Sequence, residues 1–187
     1  MAVRPGGTRQ RMIDSTATLL SQRGTAGTTV DAVLAHSGAP RGSVYHHFPG
    51  GRSQLVLDAV RMTGDRITRL IDRTGDGRLP ADALAEFAAF WRRMLVASDY
   101  RSGCPVVALA VGDAGQVPTA PEVVAEVFAT WQASFARMLS DRGVPPERAR
   151  RLANLTVSAI QGAVILCRAE RSTVPLDDVV AELSELV

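Results

Sequence analysis

Hydrogen-bond donors are concentrated in one short stretch of this sequence, residues 40–52. Between Pro40 and Phe48 only Val44 and Phe48, spaced by four, are clearly apolar. A helix with so narrow an apolar stripe presents most of its other side chains to solvent. Such donors can bind phosphate oxygens and the base edges of a nucleic-acid groove. The candidate contact residues in or near this stretch are Thr28, Thr29, Arg41, Gly42, Ser43, Tyr45, His46, His47 and Arg52.

Other chemistry at these positions has less support. An exposed arginine such as Arg41 can also be a solvated surface residue. His46 and His47 make a poor metal site, because neighbouring residues on a helix point about 100° apart and no third ligand is evident. The sequence shows no nucleophile–base pair, carboxylate dyad or nucleotide-binding glycine loop. We therefore predict no catalytic residue, no metal and no cofactor, and keep a small helical enzyme as an alternative.

Two short helices are predicted to position these donors. The first begins near Thr29, and its apolar residues Val30, Val33 and Leu34 share one face. Thr28 or Thr29 can cap its start. Hydroxyls at a helix N-terminus also suit a phosphate, so capping and phosphate contact are compatible roles.

The turn between the two helices contains Gly38. Glycine reaches the left-handed backbone conformation without steric cost, which suits the sharp turn of a helix-turn-helix. The second helix is predicted from Pro40 to His47, with the proline in the first helical turn, where it is well tolerated.

The rest of the chain is also predicted to be helical, because no stretch alternates like a strand. The fold class is therefore all-α, with a three-helix head and a larger helical body. A glycine-rich segment at residues 74–80 is the clearest linker. The nine predicted helices cover residues 8–23, 29–36, 40–47, 53–73, 81–97, 104–111, 121–141, 146–171 and 176–186.

Charge divides the chain in the same way. All 21 basic residues are arginine, and the overall net charge is +2. Residues 1–52 carry six arginines and two acids, whereas residues 53–187 carry fifteen arginines and seventeen acids. A basic head on a mildly acidic body is typical of a module that binds nucleic acid. We predict a DNA-binding domain at 1–52 and a body at 53–187, with helix 53–73 connecting them.

Composition indicates a compact cytoplasmic protein. Hydrophobic residues make up 46% of the chain, enough to form a core. No run approaches the roughly 18 apolar residues of a membrane span, and no signal sequence is recognisable at the start. The two cysteines, Cys104 and Cys167, are predicted to be buried thiols.

The head resembles that of the TetR family of bacterial transcriptional regulators over roughly residues 8–60. The motifs PGGR at 49–52 and GCPV at 103–106 are similar to the lincomycin-resistance-repressor branch. The resemblance implies that Arg52 occupies the position of a lysine that contacts the DNA backbone. Pro40 departs from the serine common in the family, so no contact is expected from that hydroxyl. The residues that carry the resemblance are Gly38, Gly42, Tyr45, His46, His47, Phe48 and Leu55.

Aromatic residues of the body cluster on two predicted helices, 81–97 and 121–141. Their spacing is that of core helices, yet the apolar arc on the first is too wide for a single narrow face. The family resemblance implies a pocket for a small hydrophobic or aromatic ligand, with drug-like or flavonoid-like compounds as candidates. The predicted lining residues are Phe87, Phe90, Trp91, Met94, Cys104, Val107, Phe128, Trp131, Phe135 and Gln161.

The last two predicted helices each carry an apolar face. Small residues on the first would allow a close approach of two helices, so a four-helix interface between two copies is one interpretation. Packing of both faces within one chain is the other. The predicted interface residues are Leu155, Ala159, Ala163, Val164, Cys167, Val180 and Leu183.

Together these features predict a homodimeric transcriptional regulator, most simply a repressor that leaves a palindromic DNA operator when a ligand binds. A DNA-binding dimer that responds to no ligand is the alternative.

Overall fold

The computed structural model describes residues 7–75, 80–112 and 117–186. Within these ranges the chain forms nine α-helices and no strand, which confirms the predicted all-α fold. The helices are α1 (Thr8–Arg23), α2 (Val30–Ser37), α3 (Ser43–His47), α4 (Gly51–Gly75), α5 (Pro80–Ala97), α6 (Pro105–Ala110), α7 (Ala120–Ser140), α8 (Pro146–Glu170) and α9 (Val174–Leu186).

The helix limits differ from the predicted ones by no more than three residues, and α3 differs most. It was expected to begin at Pro40 but begins at Ser43. The residues between form a turn, because the Ser43 N–H donates to the Pro40 carbonyl at 3.0 Å. Most of the predicted linker at 74–80, namely 76–79, lies outside the described residues, as do residues 113–116 of the predicted loop before α7.

The chain divides into two compact units. The first unit comprises Met1–Thr63 and Pro105–Val124, and the second comprises Gly64–Cys104 and Ala125–Val187. Helices α4 and α7 each contribute residues to both units.

In the first unit α1 packs against α2 and α6. Burial of apolar side chains between α1, α2, α3 and the start of α4 supplies the main driving force for its folding. The core cluster consists of Met12, Ile13, Leu19, Val33, Leu34, Val44, Phe48, Leu55 and Ala59.

In the second unit α9 packs against both α8 and α5. Aromatic rings fill part of its core: Phe87 contacts Phe135 edge to face, with ring centroids 5.4 Å apart. Trp131 lies on α7, and its indole nitrogen donates to the carbonyl of Gly64 at 3.1 Å.

Helix α8 is long and apolar enough to cross a membrane by length and composition, with a hydropathy of 1.4 over its best window. The sequence analysis predicted no segment apolar enough to span a membrane. Half of that window is buried inside the protein, because one face of α8 packs against α5 and α9. A core helix meets the same criterion.

Candidate nucleic-acid interface

Helix α2 is bounded by the two residues that the sequence indicated. Thr29 has an extended backbone, and its Oγ1 accepts a hydrogen bond from the Ala32 N–H at 3.1 Å. This bond satisfies one of the amides left free at the start of a helix. Gly38, at the other end, is left-handed with φ of 66°. The capping role considered for Thr28 or Thr29 therefore belongs to Thr29.

Thr28 is inside the protein. Only 1% of its surface is exposed, and its hydroxyl donates to the Gly24 carbonyl at 2.7 Å. Burial and this bond withdraw the hydroxyl from solvent. Thr28 instead stabilises the turn between α1 and α2.

Helix α3 separates its apolar side chains from its polar ones. Val44 and Phe48 have no exposed surface and belong to the core of the first unit. Tyr45 is 69% exposed, and Arg41 and His46 are exposed as well. Two buried anchors therefore hold a polar surface that faces away from the core.

The remaining polar residues of this segment are less accessible. Ser43 is half-buried, and its hydroxyl donates to the Pro40 carbonyl at 2.6 Å, so it closes the turn before α3. His47 is also half-buried, and its ring lies edge-on to that of His46 with centroids 4.9 Å apart. Gly42 is exposed, which leaves its backbone open to a close approach.

Arg52 is half-buried and bonded to the protein. Its Nε donates to the carbonyl of Thr28 at 2.7 Å, and its Nη2 donates to the carbonyl of Thr25 at 2.5 Å. In this structure the guanidinium is therefore bonded to carbonyl groups of the protein. Arg52 fixes the turn that precedes α2.

Arg9 makes contacts within the head that the sequence did not indicate. Its guanidinium lies over the Phe48 ring, 5.1 Å from the centroid, and pairs with Asp58 at 2.6 Å. These contacts tie α1 to the end of α3 and to α4. No local pattern could reveal them, since the three residues are far apart in the sequence.

The residues predicted to line a ligand pocket do not all belong to one unit. Val107 belongs to the first unit and the other nine to the second. Phe87, Trp91, Trp131 and Phe135 are at most 2% exposed, and they form part of the aromatic core of the second unit.

Two buried polar atoms of this core have no hydrogen-bond partner among the described residues. They are Nε1 of Trp91 and Oε1 of Gln161. Leaving a buried donor or acceptor unpaired costs free energy. The buried thiol of Cys167 has a raised pKa because burial disfavours the thiolate.

Four of the predicted dimer-interface residues are buried within their own chain. Ala163, Val164, Cys167 and Leu183 are at most 3% exposed, because they pack inside their own chain. Leu155 is 45% exposed, whereas Ala159 and Val180 are half-buried.

A short helix with an exposed donor face, preceded by a capped helix and a left-handed glycine, defines a helix-turn-helix protein. Residues 12–59 match the profile of the tetR family of bacterial regulatory proteins. Residues 80–182 match that of the LmrA/YxaF-like transcriptional regulator C-terminal domain. The chain belongs to the TetR family of DNA-binding transcriptional regulators and has an LmrA/YxaF-like body.

Individual proteins support this assignment. The uncharacterized HTH-type transcriptional regulator Rv0196 of Mycobacterium tuberculosis is 40% identical, over 97% of this chain and 94% of its own. YxaF of Bacillus subtilis is 30% identical, over 97% of this chain and 96% of its own. The crystal structure of a regulatory protein TetR from Rhodobacter sphaeroides superposes with a TM-score of 0.85 at 22% identity, over 97% of this chain and 99% of that one.

Proposed function

We propose that this regulator is a repressor that binds a palindromic operator in double-stranded DNA through its head, residues 1–52. The exposed polar surface formed by α3 and the turn before it carries this proposal. Arg41, Tyr45 and His46 lie on the outside of the first unit, whereas Val44 and Phe48 anchor the helix from below. Donors on a rigid helix can read base edges without a large entropic cost on binding.

The role proposed for each residue of this surface follows from the exposure of that residue. Arg41 is the first candidate for a bidentate contact with guanine or phosphate. Tyr45, His46 and His47 donate to phosphates or base edges, and Gly42 lets the duplex approach the backbone. Thr29 offers the N-terminus of α2 to a phosphate.

Thr28, Ser43 and Arg52 have a positioning role in this proposal. All three donate hydrogen bonds to carbonyl groups within the head. They hold the turns on either side of α2 and thereby set the position of α3.

The test begins with isolation of the operator. DNA fragments that the purified protein retains from its own genome are sequenced, and a common fragment is used for fluorescence anisotropy. Arg41→Ala and Tyr45→Ala are expected to weaken binding by about 1–3 kcal/mol each. Arg150→Ala is the matched control, because Arg150 is exposed on α8 in the second unit. Wild-type affinity in both head variants would contradict the assignment of α3.

The body, residues 53–187, is proposed to form a homodimer. Leu155 and Leu166 on α8 are 45% and 51% exposed, and Ala159 and Gly162 lie between them at helical spacing. Small side chains between two leucines allow a second α8 to come close, and half-buried Val180 extends this apolar surface onto α9. Two heads in such a dimer would read half-sites about 34 Å apart.

The body is also proposed to bind a small hydrophobic or aromatic effector. The buried atoms Trp91 Nε1 and Gln161 Oε1, which have no hydrogen-bond partner among the described residues, support it, since a bound ligand could satisfy either of them. Phe90, Met94, Cys104, Phe128 and other predicted lining residues supply apolar contacts. The effector would release the DNA by favouring a conformation of the dimer that does not fit the operator.

The protein is proposed to act in the cytoplasm, where its operator is.

Addition of lipophilic compounds to the protein–DNA complex tests whether an effector releases the DNA. Persistence of the complex with every compound would favour the alternative of a DNA-binding dimer that responds to no ligand.

A further inference from the structure

A cleft in the second unit is lined mainly by cationic side chains. Its volume is about 500 Å³, within the range of roughly 300–1,000 Å³ typical of small-molecule sites. Among the described residues, four guanidinium groups and one carboxylate line the cleft, and the other two lining residues are apolar. The lining residues are Arg66, Arg69, Leu70, Asp72, Arg73, Phe90 and Arg93.

The arrangement of the arginines follows from two helices. Arg66, Arg69 and Arg73 are spaced by three and four residues on α4, so they share one helix face. Arg93 comes from α5, three residues after Phe90. Like charges held together repel one another, and an anion in the cleft would relieve this repulsion.

The guanidinium groups of Arg69, Arg73 and Arg93 are available for a ligand. Asp72, the one acid among the described residues of the cleft, already accepts a hydrogen bond from Arg137 at 2.7 Å. Within the described ranges Arg69, Arg73 and Arg93 make no hydrogen bond or ion pair with another residue. A ligand with an acidic group could therefore bind several of them at once.

The cleft also has an aromatic wall. Phe90 is half-buried, and its ring lies edge-on to Trp91 with centroids 5.2 Å apart. Leu70 is 9% exposed beside it. An apolar or aromatic ligand body would pack against Phe90 while its acidic group reaches the arginines.

We infer that this cleft binds a small organic anion with an aromatic body, whose carboxylate, sulfonate or phosphate group is held by Arg69, Arg73 and Arg93. A nucleic-acid strand fits the surface less well, because Asp65 and Asp72 are exposed on the same helix and interrupt the continuous basic track that a phosphate backbone requires. Binding of the anion does not depend on the proposed function. Only a role of this anion as the effector that releases DNA would rest on the proposed function.

The experiment compares two fluorescent probes that differ in one charged group. Anilinonaphthalene sulfonate carries a negatively charged sulfonate group, and phenylnaphthylamine is its uncharged counterpart. The full-length protein is expected to bind the sulfonate about tenfold more tightly than the neutral probe, because charge-assisted hydrogen bonds add to the apolar contact. The preference should shrink at high salt.

Variants locate the site. In the double variant R69Q/R93Q the affinity for the sulfonate is expected to fall about tenfold, and the affinity for the neutral probe to stay unchanged. The double variant R69K/R93K retains the charge and should keep part of the preference. Arg150→Gln, outside the cleft, should bind both probes as the wild type does. Phe90→Ala is expected to weaken the binding of both probes.

Equal binding of the two probes by the wild type would overturn the inference. A sulfonate affinity unchanged in R69Q/R93Q would overturn it as well, and so would an equal loss for both probes in that variant. DNA affinity is measured separately with Arg41→Ala. A failure of that variant to lose affinity would contradict the proposed function and leave the cleft unaffected, so the two failures can be distinguished.

Discussion

The Nε atom of Arg52 lies 2.7 Å from the carbonyl oxygen of Thr28 and donates a hydrogen bond to it. The same guanidinium reaches the carbonyl of Thr25. Both acceptors belong to the turn between α1 and α2, and the next residue, Thr29, is the N-cap of α2. Arg52 therefore braces the turn from which α2 begins.

Arg52→Gln is expected to lower the free energy of unfolding by about 1–2 kcal/mol, because two charge-assisted hydrogen bonds are lost. DNA affinity should fall with it, because α2 is less firmly placed. Urea unfolding followed by circular dichroism measures the stability, and anisotropy measures the affinity. Arg61→Gln, at an exposed position of α4 in the same unit, is the control. Wild-type stability combined with weaker DNA binding would instead favour a direct contact with DNA.

Tyr45→Phe removes one hydroxyl from a side chain that is 69% exposed. Stability should not change, because the hydroxyl has no role in the core. DNA affinity is expected to fall about fivefold, the typical effect of one hydrogen bond of about 1 kcal/mol. A thermal melt and a titration of the operator check the two parts. Full affinity in this variant would show that the hydroxyl does not donate to DNA.

Gly64→Ala tests the close approach of α4 and α7 within the second unit. A Cβ at this position would lie 2.9 Å from both methyl groups of Val127. We expect a loss of about 1–3 kcal/mol in the free energy of unfolding, as for other overpacked sites. Val127→Ala in the same chain should restore part of the stability, because it removes the methyl groups. An additive loss in the double variant would contradict the steric explanation.

Leu155→Glu is expected to convert the proposed dimer to a monomer, because it places a charge in an apolar contact. Analytical ultracentrifugation measures the change. Val96→Glu is the matched control, since Val96 is also an exposed apolar residue, at 56%, but lies on α5. A Leu155→Glu protein that remains dimeric would contradict the use of this face of α8.

Cys167 is expected to react slowly with iodoacetamide at neutral pH in the folded protein. Burial raises the pKa of its thiol, so the reactive thiolate is scarcer than in an unfolded chain. Cys104→Ser leaves Cys167 as the one reporter, and mass spectrometry follows its alkylation with and without denaturant. Rapid labelling of the native protein would contradict the buried position.

The local structure of the head could be predicted from its sequence. Thr29, Gly38 and the pair Val44 and Phe48 act through neighbours within a few residues, so their roles follow from helix geometry. The first helix, residues 8–23, was predicted with the limits that the structure shows. The beginning of α3 was placed too early, because a proline in the first turn of a helix and a proline in a preceding turn have the same local signature.

Side chains that act across the fold could not be assigned in this way. Thr28 and Arg52 are both of residue types that can contact phosphate. Only their packing shows that they bond to carbonyl groups of the protein. The apolar residues of α8 fall on two faces, and periodicity does not show which face the same chain covers. Ala163 proved to be buried while Leu155 is exposed.

The sequence by itself determined the helical fold, the helix-turn-helix and the family, because these depend on short-range spacing and on motifs. The tertiary structure decided which donors remain exposed, which apolar face of α8 is free and which arginines share a cleft. Arg69 and Arg93 lie 24 positions apart in the chain, and only the packing of α4 beside α5 brings them to one cavity. Contacts between distant residues depend on how the helices pack, and a single sequence does not contain that information in its local pattern.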